Sequence, residues 1–537
     1  MEDLTRPEVV ADPYPWYAAL RDRSPVFGYT DWPPGTVPGQ DPPVRAWALL
    51  GYEQVAAAAR DHETFSSAAF QGASSAPTLV LVNQDEPEHG PLRKLVSRAF
   101  TPRRVRELRP VMRAIADELV ARLPENADFD VVEALASELP TRVMIALLGL
   151  PAETCARLKR WSNAFMLSAD LDPAERMRSN AEMVEFFREF VAERGRRRER
   201  GERGADDLVE ALFEAELDGR RLDESEIWRF CFTLVVAGSE TTTYFAANAV
   251  DALLRRPELY ARLRRERELL PRLLDEVLRL SGPAQRLFRV ATRDVRVGHA
   301  EIKRGDWVAL FYAAANHDPR EFPEPGELRL DRPNAGRHLT FGLGVHYCLG
   351  GPLALLEVEV LVDALLDHFA TLVPGAAPRV PQTATLLQHS AVRLPARGTR
   401  SALGIEERNL ATVREVFARF GAGDVPGILE LLDPEVRIEF YGPEEVPYAG
   451  TFDGLAQARR FFETVLSRVE IVRFEPQEMF ARGDKVVVTG ELELVALPNR
   501  RPIASDFAHV ITLRDGRWLR FRDFMNTAVA QSAFAAV

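Results

Sequence analysis

In the segment HLTFGLGVHYCLGGPLALLEVEV (338–360), Cys348 sits in a loop with glycines at 342, 344, 350 and 351. A helical pattern begins just after it. The backbone N–H groups of such a turn, with the positive end of the following helix, favour a thiolate sulfur. The glycines also let the chain approach a flat ligand closely. Cys155 and Cys231 lack these surroundings and read as small buried hydrophobes.

A second constellation lies in FCFTLVVAGSETTTYFAANAV (230–250), an apolar helix interrupted by Ser239, Glu240, Thr241, Thr242 and Thr243. Consecutive threonines are poor helix formers and bond back to backbone carbonyls. A glutamate there is costly unless paired or functional. Two further pairs share helix faces: His89 with Arg93, and Glu276 with Arg279. Taken alone, each reads as an ordinary surface pair.

The elements positioning these residues follow from periodicity. Residues 88–280 are mostly helical, as in RVRELRPVMRAIADELVARL (104–123). The charged run 193–207 reads as a solvated helix end and loop. Residues 289–312 read as short strands with Gly turns, and 352–370 as a helix. The stretch 30–44 reads as an ordered loop or strand–turn region, and 66–82 and 160–185 as pocket-lining loops. LPARGTRSALG (394–404) has no apolar period and reads as a linker. Beyond it, 405–432 reads as two or three short amphipathic helices. VRIEFY, KVVVTGELELVA, IASDFAHVITL and WLRFRDFM then alternate with the period of a curved antiparallel sheet.

Composition bounds the rest. At roughly 150 residues per domain, 537 residues suggest three or four domains. Hydrophobic residues at 46% and charged residues at 28% argue against a largely disordered chain. A net charge of -12 disfavours a nucleic-acid binder. There is no run of about 18 apolar residues to span a membrane, and MEDLTRPEVVADPYPWYAAL has no signal-peptide pattern. Three scattered cysteines make no disulfide framework, so a cytoplasmic location is expected.

The string Phe341-Gly342-x-Gly344-x-His346-x-Cys348-x-Gly350 resembles the haem-thiolate signature of the cytochrome P450 family. The resemblance implies that Cys348 is the axial ligand of a haem b iron (iron protoporphyrin IX), whose thiolate favours O–O cleavage. Ala237-Gly238-Ser239-Glu240-Thr241 resembles the family's distal helix. Its implied roles are a dioxygen groove at Ala237 and Gly238 and proton delivery by Glu240 and Thr241. Glu276 and Arg279 resemble the family's Glu-x-x-Arg pair, with Arg332 as the third, structural member. His89, Arg93, Arg289 and His346 match propionate-binding positions, where Arg suits a buried carboxylate. One departure is Leu355, where the family often has Arg near the electron-donor face.

Residues 405–537 resemble the SnoaL-like, nuclear transport factor 2-like superfamily, which implies a curved sheet on helices around a conical cavity. In its isomerases the catalytic acids stand where this chain has Phe440 and Ala508, which argues against that chemistry. The polar candidates for this cavity are Tyr441, Asp506, His509 and Asp523. Asp523 shares a strand face with Phe521 and Met525, and His509 with Phe507 and Ile511. An Asp on an apolar face is a pocket acid or a bonded strand end, and a lone His there is more often core than catalyst.

The expected fold is therefore a mainly α cytochrome P450 domain with small β-sheets (1–398), a linker (399–404) and an α+β, cone-shaped SnoaL-like domain (405–537). The expected activity is monooxygenation of an apolar or polycyclic small molecule in secondary-metabolite biosynthesis, with a fused domain that cyclises or binds product. The alternative is oxidative coupling or rearrangement without oxygen insertion, with the C-terminal domain a binding or dimerisation module. Dioxygen and electrons from external NAD(P)H-dependent partners, ferredoxin and ferredoxin reductase, are implied. A homodimer through the C-terminal domain is a further expectation; nucleic acid and membrane are not expected partners.

Overall fold

The computed structural model describes residues 6–29, 32, 46–68, 79–165, 172–202 and 206–535. The stretch read at 30–44 lies outside the described residues except for Trp32, as do parts of 66–82 and 160–185. The chain divides into two compact units. One comprises Met1–Leu119, Asp128–Leu366 and Leu372–Arg397; the other comprises Val120–Ala127, Asp367–Thr371 and Gly398–Val537.

The first unit is mainly helical. Its longest helix, Glu224–Leu254, starts at a capping box in which Asp223 accepts from the Glu226 N–H and Glu226 accepts from the Asp223 N–H. Both the Ile227–Val236 and Thr242–Leu254 stretches are largely buried, as an all-round apolar helix requires. The pattern over 104–123 is two helices, Pro102–Glu107 and Arg109–Ala121. Pro110 has no N–H to continue the first, so it fits in the opening turn of the second. The described part of 160–185 is helical, ending Cys155–Phe165 and opening Pro173–Glu199. Arg196, Arg198 and Arg200 in the charged run pair with Glu193, Glu210 and Glu202 respectively.

The expected short strands are present. Leu287–Ala291 and Trp307–Leu310 pair antiparallel, and Trp307–Leu310 also pairs parallel with Ala46–Leu49. Val295–Val297 and Ala300–Ile302 form a hairpin whose turn places Gly298 at φ +59°.

The segment read as a linker is ordered. Pro395–Arg400 is a strand, with Pro395 and Ala396 pairing with Asp130 and Phe129. Ser401 caps the helix Ala402–Gly421 by accepting from the Gly404 N–H. Polar anchoring hides this from apolar periodicity. The buried Arg400 guanidinium donates to the carbonyls of Val120, Ala121 and Leu123 and lies 4.3 Å from the Phe369 ring centre.

The second unit contains a six-stranded sheet in the order Gly450–Asp453, Leu432–Phe440, Arg517–Met525, Arg501–Arg514, Lys485–Ala496 and Val469–Arg482. Helices Ala402–Gly421 and Gly454–Arg468 add buried Val413, Val416, Phe461 and Phe462 to its core. Over 405–432 two helices form, Ala402–Gly421 and Val425–Glu430, in keeping with the two or three expected, though the first is long.

Candidate functional site

The loop around Cys348 is shaped by glycine. Gly342 and Gly344 both adopt φ +69°, a conformation that side-chain-bearing residues rarely take. The Cys348 N–H closes the loop by donating to the Phe341 carbonyl at 2.8 Å. A Cβ at Gly351 would meet the Phe341 ring at 3.6 Å, so the ring lies against the start of the helix Gly351–His368.

The electrostatics of the sulfur correct the sequence expectation. Burial raises the Cys348 thiol pKa, outweighing the N–H groups of Gly350 and Gly351 and the Arg93 charge, which lower it. The loop alone therefore holds a thiol; a bound metal ion is what deprotonates it outright.

Around it stand the expected basic residues. His89 is buried and its ring lies 4.6 Å from that of His346. His346 Nε2 is 3.2 Å from the Ser67 hydroxyl. Burial, then the Arg289 charge, pushes His346 down to about 4, so its ring is neutral near pH 7. Arg289 is buried with Nη1 donating to the Phe288 carbonyl, and Arg93 donates to the Tyr347 carbonyl at 2.5 Å. Neither ring nitrogen of His89 makes a hydrogen bond, and Nδ1 lies 3.8 Å from Glu86 Oε1. Nε2 is left unpaired, and an unpaired buried nitrogen calls for a partner.

On the Glu224–Leu254 helix, Thr241 Oγ1 donates back to the Ala237 carbonyl at 2.6 Å, and Thr243 to Ser239 at 2.9 Å. Glu240 is buried and its Oε1 accepts from the Tyr244 hydroxyl at 3.2 Å. Tyr244, one turn on, was not singled out in the sequence, although its spacing of four from Glu240 was legible. A Cβ at Gly238 would lie 3.2 Å from Met144 Cε, so this glycine admits close helix packing.

Glu276, Arg279 and Arg332 form one buried cluster. Glu276 Oε1 is 2.6 Å from Arg279 Nε and 2.9 Å from Arg332 Nε. Arg279 also donates to the carbonyls of Asn316, Pro325 and Glu327, and Arg332 to those of Pro323, Glu324 and Glu327. Both guanidiniums thus pin the loop preceding the cysteine segment, with their charge shared on one carboxylate.

The family model described as cytochrome P450 matches residues 155–395. A putative cytochrome P450, YjiB of Bacillus subtilis, is 34% identical over 367 residues, covering 66% of this chain and 87% of the relative. The chain belongs to the cytochrome P450 family. The cyclomarin C epoxidase CymV of Salinispora arenicola is 36% identical over 347 residues, covering 62% and 86%. The solved structure of cytochrome P450 CYP109Q5 from Chondromyces apiculatus superposes with a TM-score of 0.66 at 33% identity, covering 74% and 98%. The family model of the SnoaL-like domain matches residues 413–521.

This P450 is a haem-thiolate monooxygenase drawing electrons from redox partners. The donor set fits haem: one cysteine in a glycine cradle and, beside it, arginines with the unpaired Nε2 of His89 for carboxylate groups. Bound there, haem supplies the redox and dioxygen chemistry that side chains lack. Among the described residues, no helix is long and apolar enough to cross a membrane.

The SnoaL-like domain encloses a cavity of about 80 Å³ lined by Phe417, Phe420, Phe461, Phe474, Trp518, Phe521 and other apolar side chains. Tyr448, His509 and Asp523 also line it. His509 Nε2 is 2.7 Å from Asp523 Oδ2, and both side chains are buried. His509 Nδ1, Asp523 Oδ1 and the Tyr448 hydroxyl have no hydrogen-bond partner. Burial, then the Asp523 charge, raises the Tyr448 pKa, which keeps its hydroxyl protonated.

Two expected pocket residues are elsewhere. Tyr441 is exposed, its ring 5.5 Å from exposed Phe524, and Asp506 is exposed on its strand. Alternation accounts for both: neighbours of the buried Phe440 and Phe507 fall on the opposite face. Tyr448 was missed because it comes from an irregular segment with no period to read.

Proposed function

We propose that the haem domain oxidises an apolar or polycyclic small molecule in secondary-metabolite biosynthesis, with Cys348 ligating iron and Glu240 and Thr241 delivering protons. The carrying observation is a buried carboxyl and a threonine hydroxyl on one apolar helix of a P450. His89, Arg93, Arg289 and His346 would hold the propionates, and Glu276, Arg279 and Arg332 the loop before the cysteine. Similarity to a cyclomarin C epoxidase supports the biosynthetic setting. Ferredoxin and ferredoxin reductase are the proposed donors, and the cytoplasm the proposed location. Metabolites would be screened for a shift of the Soret band, and product then made under labelled dioxygen. Product carrying the label supports oxygen insertion; unlabelled product favours coupling or rearrangement.

The C-terminal domain, on the same proposal, is a proton-transfer site. His509 is the base, and Asp523 holds its Nε2–H and stabilises the imidazolium that forms. The supporting observation is the pairing of His509 with Asp523 in an apolar cavity, with Nδ1 left unpartnered. Incubated in heavy water without an electron donor, the full chain should exchange the α-hydrogens of benzylacetone, a neutral aryl ketone. His509→Gln should lose the exchange.

A second reading concerns the outer sheet face, where exposed Tyr441 and Phe524 adjoin. They support a homodimer through this domain. Sedimentation of Tyr441→Glu against wild type tests it: a fall from dimer to monomer supports it, and a monomeric wild type removes it.

A further inference from the structure

We propose that the C-terminal cavity removes water from a neutral, hydroxylated aryl molecule that the haem domain of the same chain produces. The proposal rests on the proton-transfer reading of His509 and Asp523, and names its substrate class and reaction.

The walls choose the substrate. Among the described residues, no Lys or Arg lines the cavity, and Asp523 is its one carboxylate. A carboxylate or phosphate ligand would enter an apolar site beside a negative charge with no cation to offset it. A neutral molecule meets no such cost. Of the lining rings, Phe521 lies 4.9 Å, Phe417 5.7 Å and Phe474 6.1 Å from the His509 ring. Aromatic walls around the base suit an aryl group placed next to the reacting carbon.

The polar atoms choose the reaction. With Nε2 committed to Asp523, Nδ1 is the one unpaired nitrogen of His509. Tyr448 contributes a free hydroxyl that can donate to an oxygen atom. A water-expelling elimination needs one base for the carbon-bound hydrogen and one donor for the departing oxygen, and His509 Nδ1 and the Tyr448 hydroxyl supply these two.

The elimination balances on these groups alone. His509 Nδ1 takes a proton from the carbon next to the one bearing the hydroxyl. The C–H electron pair becomes the new C=C bond and the C–O bond breaks. The imidazolium returns its proton to the departing hydroxyl, which leaves as water while Tyr448 donates to that oxygen. Asp523 stays a carboxylate, and no electrons enter or leave. A carbonyl on the deprotonated carbon makes its hydrogen acidic enough, and the aryl group sits on the carbon that loses the hydroxyl. Hydroxylation by a monooxygenase domain is the class of reaction that supplies such an alcohol.

The test uses full-length protein without an electron donor, so that the haem domain is idle. The probe is the aldol of benzaldehyde and acetone, whose loss of water to benzalacetone is read by ultraviolet absorbance. Wild type should accelerate the loss, His509→Gln should cut the rate about hundredfold, and Tyr448→Phe, a near-isosteric change, should cut it less. Exchange of benzylacetone that needs His509, without elimination from the aldol, overturns the dehydration and leaves proton transfer standing. Neither exchange nor elimination removes both readings. Elimination unchanged in His509→Gln and Tyr448→Phe also overturns the proposal.

Discussion

His509 and Asp523 stand directly opposite each other on adjacent antiparallel strands, with Nε2 2.7 Å from Oδ2. The register puts a base and its orienting carboxylate in one apolar cavity, fourteen positions apart in the chain. Removing the carboxylate leaves the ring buried with both nitrogens unpaired. Asp523→Ala should therefore lower stability of the second unit by about 1–3 kcal/mol, measured by urea unfolding. No change in midpoint would show that the pair is not formed in solution.

The buried Glu276 carboxylate answers two guanidiniums at once. Glu276→Gln should cost about 3–5 kcal/mol, because Arg279 and Arg332 stay buried without a counter-charge. Denaturant unfolding followed by the Soret band would read the loss. A variant as stable as wild type would contradict the shared-carboxylate arrangement.

Glu240 and Thr241 are expected to act on product formation more than on folding. Glu240→Gln and Thr241→Val should each lower product formation about hundredfold while electron consumption persists. The ratio of product to NAD(P)H consumed checks this. Unchanged ratios in both variants would remove the residues from proton delivery.

Much of the first domain was legible because its chemistry is local in the chain. Cys348, its glycines and the Glu240–Thr241 pair each fall within one short segment. The second domain was legible as alternating strands, but its site was only half visible. His509 and Asp523 carry the alternation, whereas Tyr448 comes from a segment without period, and Tyr441 and Asp506 fall on the outer face. The edge strand Val469–Arg482 also escaped notice. It is mostly exposed, its register shifts at 471–473 and 476–478, and Pro476 interrupts its pattern.

Glu357 is buried with its Oε2 lacking a hydrogen-bond partner, and burial pushes it up to about 8 from 4.5. An acid raised in the folded state binds more protons folded than unfolded. Stability therefore falls as pH rises from 4.5 to about 8 and then levels. Glu357→Gln removes this dependence, so its melting temperature relative to wild type should climb across that window. A constant offset would contradict a neutral, buried Glu357.

The central claim is that Cys348 is the thiolate ligand of a haem. The most direct measurement is the carbon monoxide difference spectrum of the reduced, haem-loaded full chain. Wild type should show the Soret shift of a thiolate ligand, and Cys348→Ala should lack it. A wild type without that shift, or its survival in Cys348→Ala, would contradict the account.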